Sequence, residues 1–434
     1  MIPSAAGPLP SSADVVVVGA GLAGLACARH LAAAGVDVVV VEAQDGVGGR
    51  VRSEVVDGVR VDRGFQLLNP AYPEVQALLD VDALDLRPFD AGVAVHRHGR
   101  VHAVRDPRRH LTGALQALRF PLGTAREKAA LVRWLAAATS PGDLKRRDSG
   151  WAEGLDALEV HGDLRWSVVE PFLAGVLGEV DGTTSRRFVD LLVRTFLRGT
   201  PGLPAGGVQA VPDQLAAGLP AGSLVLGTEV EHVGFGPRSL MVETVAGAVT
   251  VRSVVVATEG AAAAHLAPGA PEVASHALTT FWFTTGSSPA PGDRDRLLHL
   301  DGDRSGPVVN TAVVSAVAPS YVLEPADGRR ALVSALVHGA DGGAEEEAAV
   351  RAQLARVYGT STRSWTLVAR HVVPHALPQL PAPFDGPKPV ELGEGVYLAG
   401  DHRENPSQQG ALVSGRRAAD AVLDGLGLGR RRAG

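Results

Sequence analysis

The sequence predicts an α/β fold built on a parallel sheet, and three observations predict it. Four valines, Val15–Val18, run into Gly19-Ala-Gly21-Leu22-Ala23-Gly24. An alanine-rich stretch of helical length follows, and a second apolar run, Val38–Val41, ends in Glu42. Strand, glycine turn, helix, strand and acid stand in the order and spacing of a β-α-β unit that grips a dinucleotide. Gly19 permits the tight strand-to-helix turn, and Gly21 has no side chain to hold the backbone off a pyrophosphate. Gly24 lets the helix lie close to the sheet. The free N–H groups opening that helix, around Leu22 and Ala23, point at phosphate oxygens. Glu42, at the tip of the second strand, is placed to accept hydrogen bonds from a ribose. These parts make a Rossmann-type domain.

The next block, Asp45-Gly-Val-Gly48-Gly49-Arg50-Val-Arg52-Ser53, moves the expected dinucleotide from NAD to FAD. Adjacent glycines allow another close backbone approach, and Arg50 offers phosphates a fixed cationic fork. Arg52 reads as a solvated loop residue. Here the sequence resembles the flavin amine oxidoreductase superfamily, whose members place Gly-Gly-Arg shortly after the ribose-binding acid. That group includes monoamine and polyamine oxidases, protoporphyrinogen oxidase, phytoene and zeta-carotene desaturases, and carotene isomerase. The resemblance implies FAD as cofactor. It also implies a glutathione-reductase-like FAD-binding domain interleaved with an α+β substrate domain.

The resemblance resumes at the other end, in Val396-Tyr-Leu-Ala-Gly400-Asp401 and Gln408-Gln409-Gly410-Ala411-Leu-Val-Ser-Gly415. In the family such a strand–Gly-Asp element brings its acid to the ribityl–phosphate region, which assigns Gly400 and Asp401 to the cofactor. The helix opening around Gln408, Gln409 and Ala411 would aim its N-terminus at the N1–C2=O edge of the flavin. The positive end of a helix dipole stabilises negative charge on reduced flavin. Asp62-Arg-Gly64-Phe65-Gln66-Leu67-Leu68 resembles the segment that passes beside the ring. Val230, in Leu224–Val233, resembles the valine whose main chain meets the adenine, and reads equally well as an ordinary strand residue.

At 434 residues the chain exceeds one typical core, so two lobes are expected. The cofactor pieces occupy 1–80, 205–265 and 390–434, leaving 81–204 and 266–389 for the substrate or cap domain. The first intervening stretch shows helical patterns at Ala125–Ala138 and Ser185–Arg198. The second shows strand alternation at Arg330–Val337 and Ser364–Val373. Hydrophobic residues at 45% with charged residues at 20% describe a folded chain, and a net charge of −6 gives no reason to expect nucleic acid as a partner. The one cysteine, Cys27, excludes an internal disulfide and reads as packing. No apolar run is long enough to span a bilayer. The opening MIPSAAGPLPSSAD lacks the basic start and apolar core of a signal peptide. It reads as a short disordered lead, and the expected compartment is the cytoplasm.

Within the family, amine oxidases place a lysine near flavin N5 and an aromatic pair around the substrate nitrogen. This chain has only Lys128, Lys145 and Lys388, none between Gly199 and Pro387, and it has Pro406-Ser407 where a cage aromatic would stand. The Ala399-Gly400-Asp401…Gln409-Gly410-Ala411-Leu-Val-Ser414-Gly415 rhythm resembles carotene desaturases more closely. The expected reaction is therefore removal of a hydride from a C–H bond of a mainly apolar small molecule, a desaturation-type oxidation. An amine or amino-acid oxidase, a redox-neutral flavin isomerase and a non-catalytic escort or dissociation-inhibitor protein stand as alternatives. The electron acceptor stays open among oxygen, quinone and nicotinamide. His375, beside a segment similar to one near the desaturase pocket, is the candidate proton acceptor, and a histidine satisfied by backbone is the competing reading. His371 and His375 have metal-pair spacing, but Val372-Val373-Pro374 between them opposes a helix, so no metal site is expected. Arg105–Trp134 carries seven basic residues among leucines, Phe120 and Trp134, a composition suited to peripheral contact with anionic lipid or to ordinary cap helices.

Overall fold

The computed structural model describes residues 8–106, 120–139, 147–236, 239–285, 296–323 and 331–429. Every residue of the strands Val15–Val18 and Val38–Val41 is buried, as β-branched strands covered on both faces must be. They lie side by side in a six-stranded sheet. Its order is Glu391–Gly393, Val396–Leu398, Ser253–Val256, Val15–Val18, Val38–Val41, Leu224–Val225. All neighbours are parallel except the Glu391–Gly393 edge. Strands from both ends of the chain and from its middle thus share one sheet.

The helix Leu22–Ala33 is buried along most of its length and packs against the last helix, Gln408–Gly425. A Cβ at Gly415 would lie only 2.2 Å from the Ala23 carbonyl oxygen, so a glycine is what allows these helices to meet so closely. Cys27 lies in this packing, fully buried, and burial pushes its thiol well above the ordinary range. The expected disordered lead is tied down from Ser12, which bridges to Thr250, with Ala13 N donating to Thr250 O; residues 1–7 lie outside the described residues.

A second, seven-stranded sheet has the order Thr366–Pro378, Ser275–Thr284, Leu332–His338, Val308–Val313, Leu298–Asp301, Gly92–Arg97, Arg100–Arg105. Two of these strands match the alternation read at 330–337 and 364–373. The helices Ala125–Thr139 and Arg186–Arg198 match the patterns read in the first intervening stretch, the latter capped by Ser185 Oγ accepting from Phe188 N. That stretch also supplies the hairpin Gly92–Arg97/Arg100–Arg105, which the helical reading passed over. Its turn, His98-Gly99, has φ of +50° and +70°, as a tight two-residue hairpin requires.

The lipid-facing reading of 105–134 meets two findings. Phe120 and Trp134 are buried, the latter donating Nε1–H to Asp190, so neither ring is available to a membrane. Arg126 and Arg133 both face Glu159, and Arg105 faces Asp90. Arg108, Arg109 and Arg119 lie outside the described residues. No helix among the described residues is long and apolar enough to cross a membrane.

The hairpin Ser53–Val56/Val59–Asp62 is pinned to the seven-stranded sheet at Asp62, which is buried. Its carboxylate accepts from Ser53 Oγ (2.5 Å), Tyr321 OH (2.8 Å) and Val208 N (3.2 Å), while Trp282 Nε1 donates to its carbonyl (3.1 Å). Burial pushes this carboxyl up to about 6, against hydrogen bonds from Ser53, Tyr321 and Val208 that favour the anion. The folded protein therefore holds, between about pH 4 and pH 6, a proton that the unfolded chain has already released. The stability so contributed is full below about pH 4 and falls by about 3 kcal/mol as pH rises through 6. Asp62→Asn cannot titrate, so its denaturant-unfolding free energy should lack this fall. A wild-type fall of the same size in the variant would assign it to another group.

Candidate functional site

The glycine turn sits where the central strand gives way to the first helix. Gly19 has φ +103°, a conformation that side chains resist. A Cβ at Gly24 would lie 1.9 Å from the Gly19 carbonyl oxygen. At Gly21 an added Cβ would meet nothing within 4 Å, so the backbone there faces open space. Gly21 caps the helix with no side-chain hydrogen bond, which leaves the N–H groups of Leu22 and Ala23 without intrahelical acceptors. The second glycine loop closes the other side: Gly48 bridges to Gly21, and a Cβ on Gly49 (φ +58°) would be 3.5 Å from Gly21 Cα. Two bare backbone segments thus lie against each other, with Gly48 N donating to Ala20 O at 2.8 Å, and the open side of Gly21 is where a pyrophosphate would fit.

Glu42 is buried at the strand tip, where Oε2 accepts from Ala20 N (2.7 Å) and Oε1 from Gln44 N (2.9 Å). Two bonds leave a carboxylate with two further acceptor directions. Glu42 O accepts from Thr228 N, so the segment leading into Val230 runs past the acid. Val230 opens the strand Val230–Phe235 with its side chain in the core.

Arg50 draws three distant segments together. Its Nη2 pairs with Asp401 Oδ1 at 2.8 Å, its Nη1 donates to Ala376 O at 2.7 Å, and its own carbonyl accepts from Gln66 Nε2 at 2.7 Å. The sequence reading aimed Arg50 and Asp401 separately at a cofactor, whereas here they bind each other. The guanidinium keeps three N–H donors beyond those two contacts. Arg52 is not the solvated residue expected: its side chain is largely buried and holds Asp45 at 2.9 Å across the loop.

Beside this node, Gly64 has φ +107°, and half-buried Phe65 meets Phe89 edge-on with ring centroids 6.1 Å apart. Gly400 has φ +153° and donates its N–H to Ser414 Oγ. Ser407 caps the last helix by accepting from Gly410 N, Gln409 Oε1 accepts from Glu74 N, and half-buried Ala411 packs on the core. Gln408 Oε1 is buried and has no hydrogen-bond partner among the described residues.

His375 lies exposed on the edge strand Thr366–Pro378, next to the Ala376 carbonyl that Arg50 engages. His371 is not beside it as a ligand partner but holds Glu54 at 2.6 Å, and no metal-binding group of three or more side chains gathers among the described residues. The sequence reading missed His402, directly after Gly-Asp. It is buried, neither ring nitrogen has a hydrogen-bond partner among the described residues, and burial draws it down to about 4, so it is neutral at pH 7. Position was its only signal. Ser53, Tyr321 and Ser414 were equally silent, because a hydroxyl's partner is set by the fold.

A glycine-turn β-α-β unit, a Gly-Gly-Arg loop packed on it and a Gly-Asp strand end tied to that loop by Arg50–Asp401 make the pattern of a dinucleotide-binding protein. The chain belongs to the flavin containing amine oxidoreductase family, whose sequence profile matches residues 22–423. That is a family of flavin-containing oxidoreductases, which weighs against the non-catalytic escort reading. The chain is similar to the putrescine oxidase of Kocuria rosea, 46% identical over 112 residues that make up 25% of this chain and 21% of that protein. It is also similar to the 15-cis-phytoene desaturase of Narcissus pseudonarcissus, 44% identical over 66 residues, 15% of this chain and 12% of that one. These stretches span about a fifth or less of the curated relatives' length. An oxidoreductase from Methanosarcina mazei shares the fold, with TM-score 0.73 and 16% identity over 93% of this chain and 99% of that chain.

Proposed function

We propose that the enzyme oxidises a mainly apolar small molecule by removing a hydride from a C–H bond, a desaturation-type reaction. One observation carries the reading: none of the seven strands of the second sheet bears a lysine, Lys128 lying on a helix and Lys388 in a loop. By the family resemblance, an amine oxidase would draw its flavin-facing lysine from that region. Half-buried Phe65 and Leu67, on the segment that also carries Gln66, join the apolar cluster around Trp282 and Tyr321 and suit a hydrocarbon surface.

FAD, when bound, supplies the acceptor for the hydride. In this reading Gly19, Gly21, Leu22, Ala23, Gly24 and Gly49 cradle the pyrophosphate, and Glu42 holds the ribose of the adenosine. The Val230 main chain meets the adenine. Arg50 keeps Gly400 and Asp401 against the ribityl–phosphate portion. Gly64, Phe65, Gln66, Gln408, Gln409 and Ala411 would hold the flavin ring. His375, exposed beside Ala376, takes the proton that leaves the neighbouring carbon.

The test is anaerobic mixing of the FAD-loaded enzyme with apolar polyene and amine candidates while flavin absorbance is followed. Bleaching by a polyene, slowed in His375→Gln without loss of FAD, is the expected result. Bleaching by amines alone, with peroxide released in air, would overturn it in favour of the amine-oxidase reading that similarity to putrescine oxidase supports.

A further inference from the structure

A cavity lies on the other side of the seven-stranded sheet from Asp62. Trp282 points toward Asp62, whereas its neighbours Phe281 and Phe283 pack under the helix Ala344–Tyr358. Where the C-terminal end of that helix meets the Gly92–Arg97/Arg100–Arg105 hairpin, a cavity of about 490 Å³ opens, within the range of small-molecule sites.

Its wall is aromatic. His96 Nε2 and His299 Nδ1 are 2.9 Å apart, and the His299 and Tyr358 ring centroids 5.3 Å apart. Burial draws His299 down to about 4, so at neutral pH this ring carries no charge.

Arg97, Arg100 and Arg356 stand around this wall. Arg97 is engaged by Asp163 at 2.5 Å and Asp303 at 3.6 Å. Arg356 meets only neutral acceptors, Ser305 Oγ at 3.1 Å and Ser305 O at 2.7 Å. Neither Arg100 nor Arg356 has a carboxylate partner among the described residues.

The acids of the cavity are already committed. Asp301 accepts from Ser305 N, Ser305 Oγ, Gln353 Nε2 and Asp303 N. Asp303 accepts from His98 N besides facing Arg97. Two guanidinium groups are thus left to a ligand, beside a wall of aromatic rings inclined at 35° and 54° to one another.

We infer that this cavity binds a small aromatic carboxylate, its ring against His96, His299 and Tyr358 and its carboxylate between Arg100 and Arg356. Planar guanidinium groups match a carboxylate fork and leave the ring side to the aromatic wall. The site is separate from the FAD cradle and independent of the proposed oxidation.

Calorimetric titration of the FAD-loaded full-length protein with benzoate tests it. Saturable one-site binding with an unchanged flavin spectrum is expected, weakened about tenfold in Arg100→Gln and in Arg356→Gln, the effect of losing a charged hydrogen bond. Arg356→Lys should retain part of the affinity, and inorganic phosphate and cyclohexanecarboxylate should bind more weakly than benzoate. No saturable binding at millimolar benzoate would overturn the assignment. So would binding that perturbs the flavin and persists in both glutamine variants, or equal affinity for cyclohexanecarboxylate or phosphate.

Discussion

Gly24→Ala is expected to give a protein that no longer keeps FAD through purification. The added Cβ would lie 1.9 Å from the Gly19 carbonyl oxygen and 3.3 Å from Ala257 Cβ, and the nearest obstacle is backbone. Relief by moving Gly19 is blocked in turn. That residue sits at φ +103°, with the Ala257 carbonyl 3.1 Å from where its own Cβ would be. Overpacking of this kind costs roughly 1–3 kcal/mol even where side chains can yield, and a backbone oxygen yields less. The helix must shift away from the sheet, carrying with it the N–H groups that face the phosphate gap. The ratio of flavin to protein absorbance after gel filtration, followed by FAD titration, measures the outcome. Affinity should fall at least tenfold, about 1.4 kcal/mol. A stoichiometric yellow Gly24→Ala protein would mean the cradle lies elsewhere.

Arg50→Met should be the most damaging single change to stability at the site. Asp401 is only 8% exposed on its side chain, and Arg50 is the cation that holds it. Truncating one member of a buried ion pair leaves an uncompensated charge and costs about 3–5 kcal/mol. The same substitution frees Ala376 O, so residues 50, 376 and 401 lose their common tie. Denaturant unfolding checks the magnitude. The control is Arg50→Met combined with Asp401→Leu, which removes both charges and should recover part of the lost stability. Equal stability in the single and double variants would show that the pair contributes nothing through charge. Flavin retention should fall in both.

The residues proposed to build the phosphate cradle stand out in the sequence because their information is local. A strand that turns at Gly19, approaches a ligand at Gly21 and packs at Gly24 announces itself by the absence of side chains at fixed spacing. The parallel sheet followed from the buried valine runs, and the helices Ala125–Thr139 and Arg186–Arg198 and the strands Leu332–His338 and Thr366–Pro378 from their periodicity, whereas the helix Ala344–Tyr358 and the strand Ser275–Thr284 were not read. The hairpin at 92–105 was not read, since His98-Gly99 is a weak turn signal between mixed apolar and basic residues. Phe120 and Trp134 suited either lipid contact or ordinary cap helices because composition carries no direction, and packing turned both rings inward.

What the sequence by itself determined is the cofactor class and the β-α-β glycine turn proposed to hold it, because backbone freedom and strand burial depend on neighbours only a few residues away. What only the tertiary structure decided is which charges meet. Arg50 finds Asp401 across 351 positions of sequence, and Asp62 finds Tyr321 across 259. An ion pair or a buried hydrogen bond forms wherever folding brings two polar groups within about 3 Å, and no periodicity in the chain records that encounter.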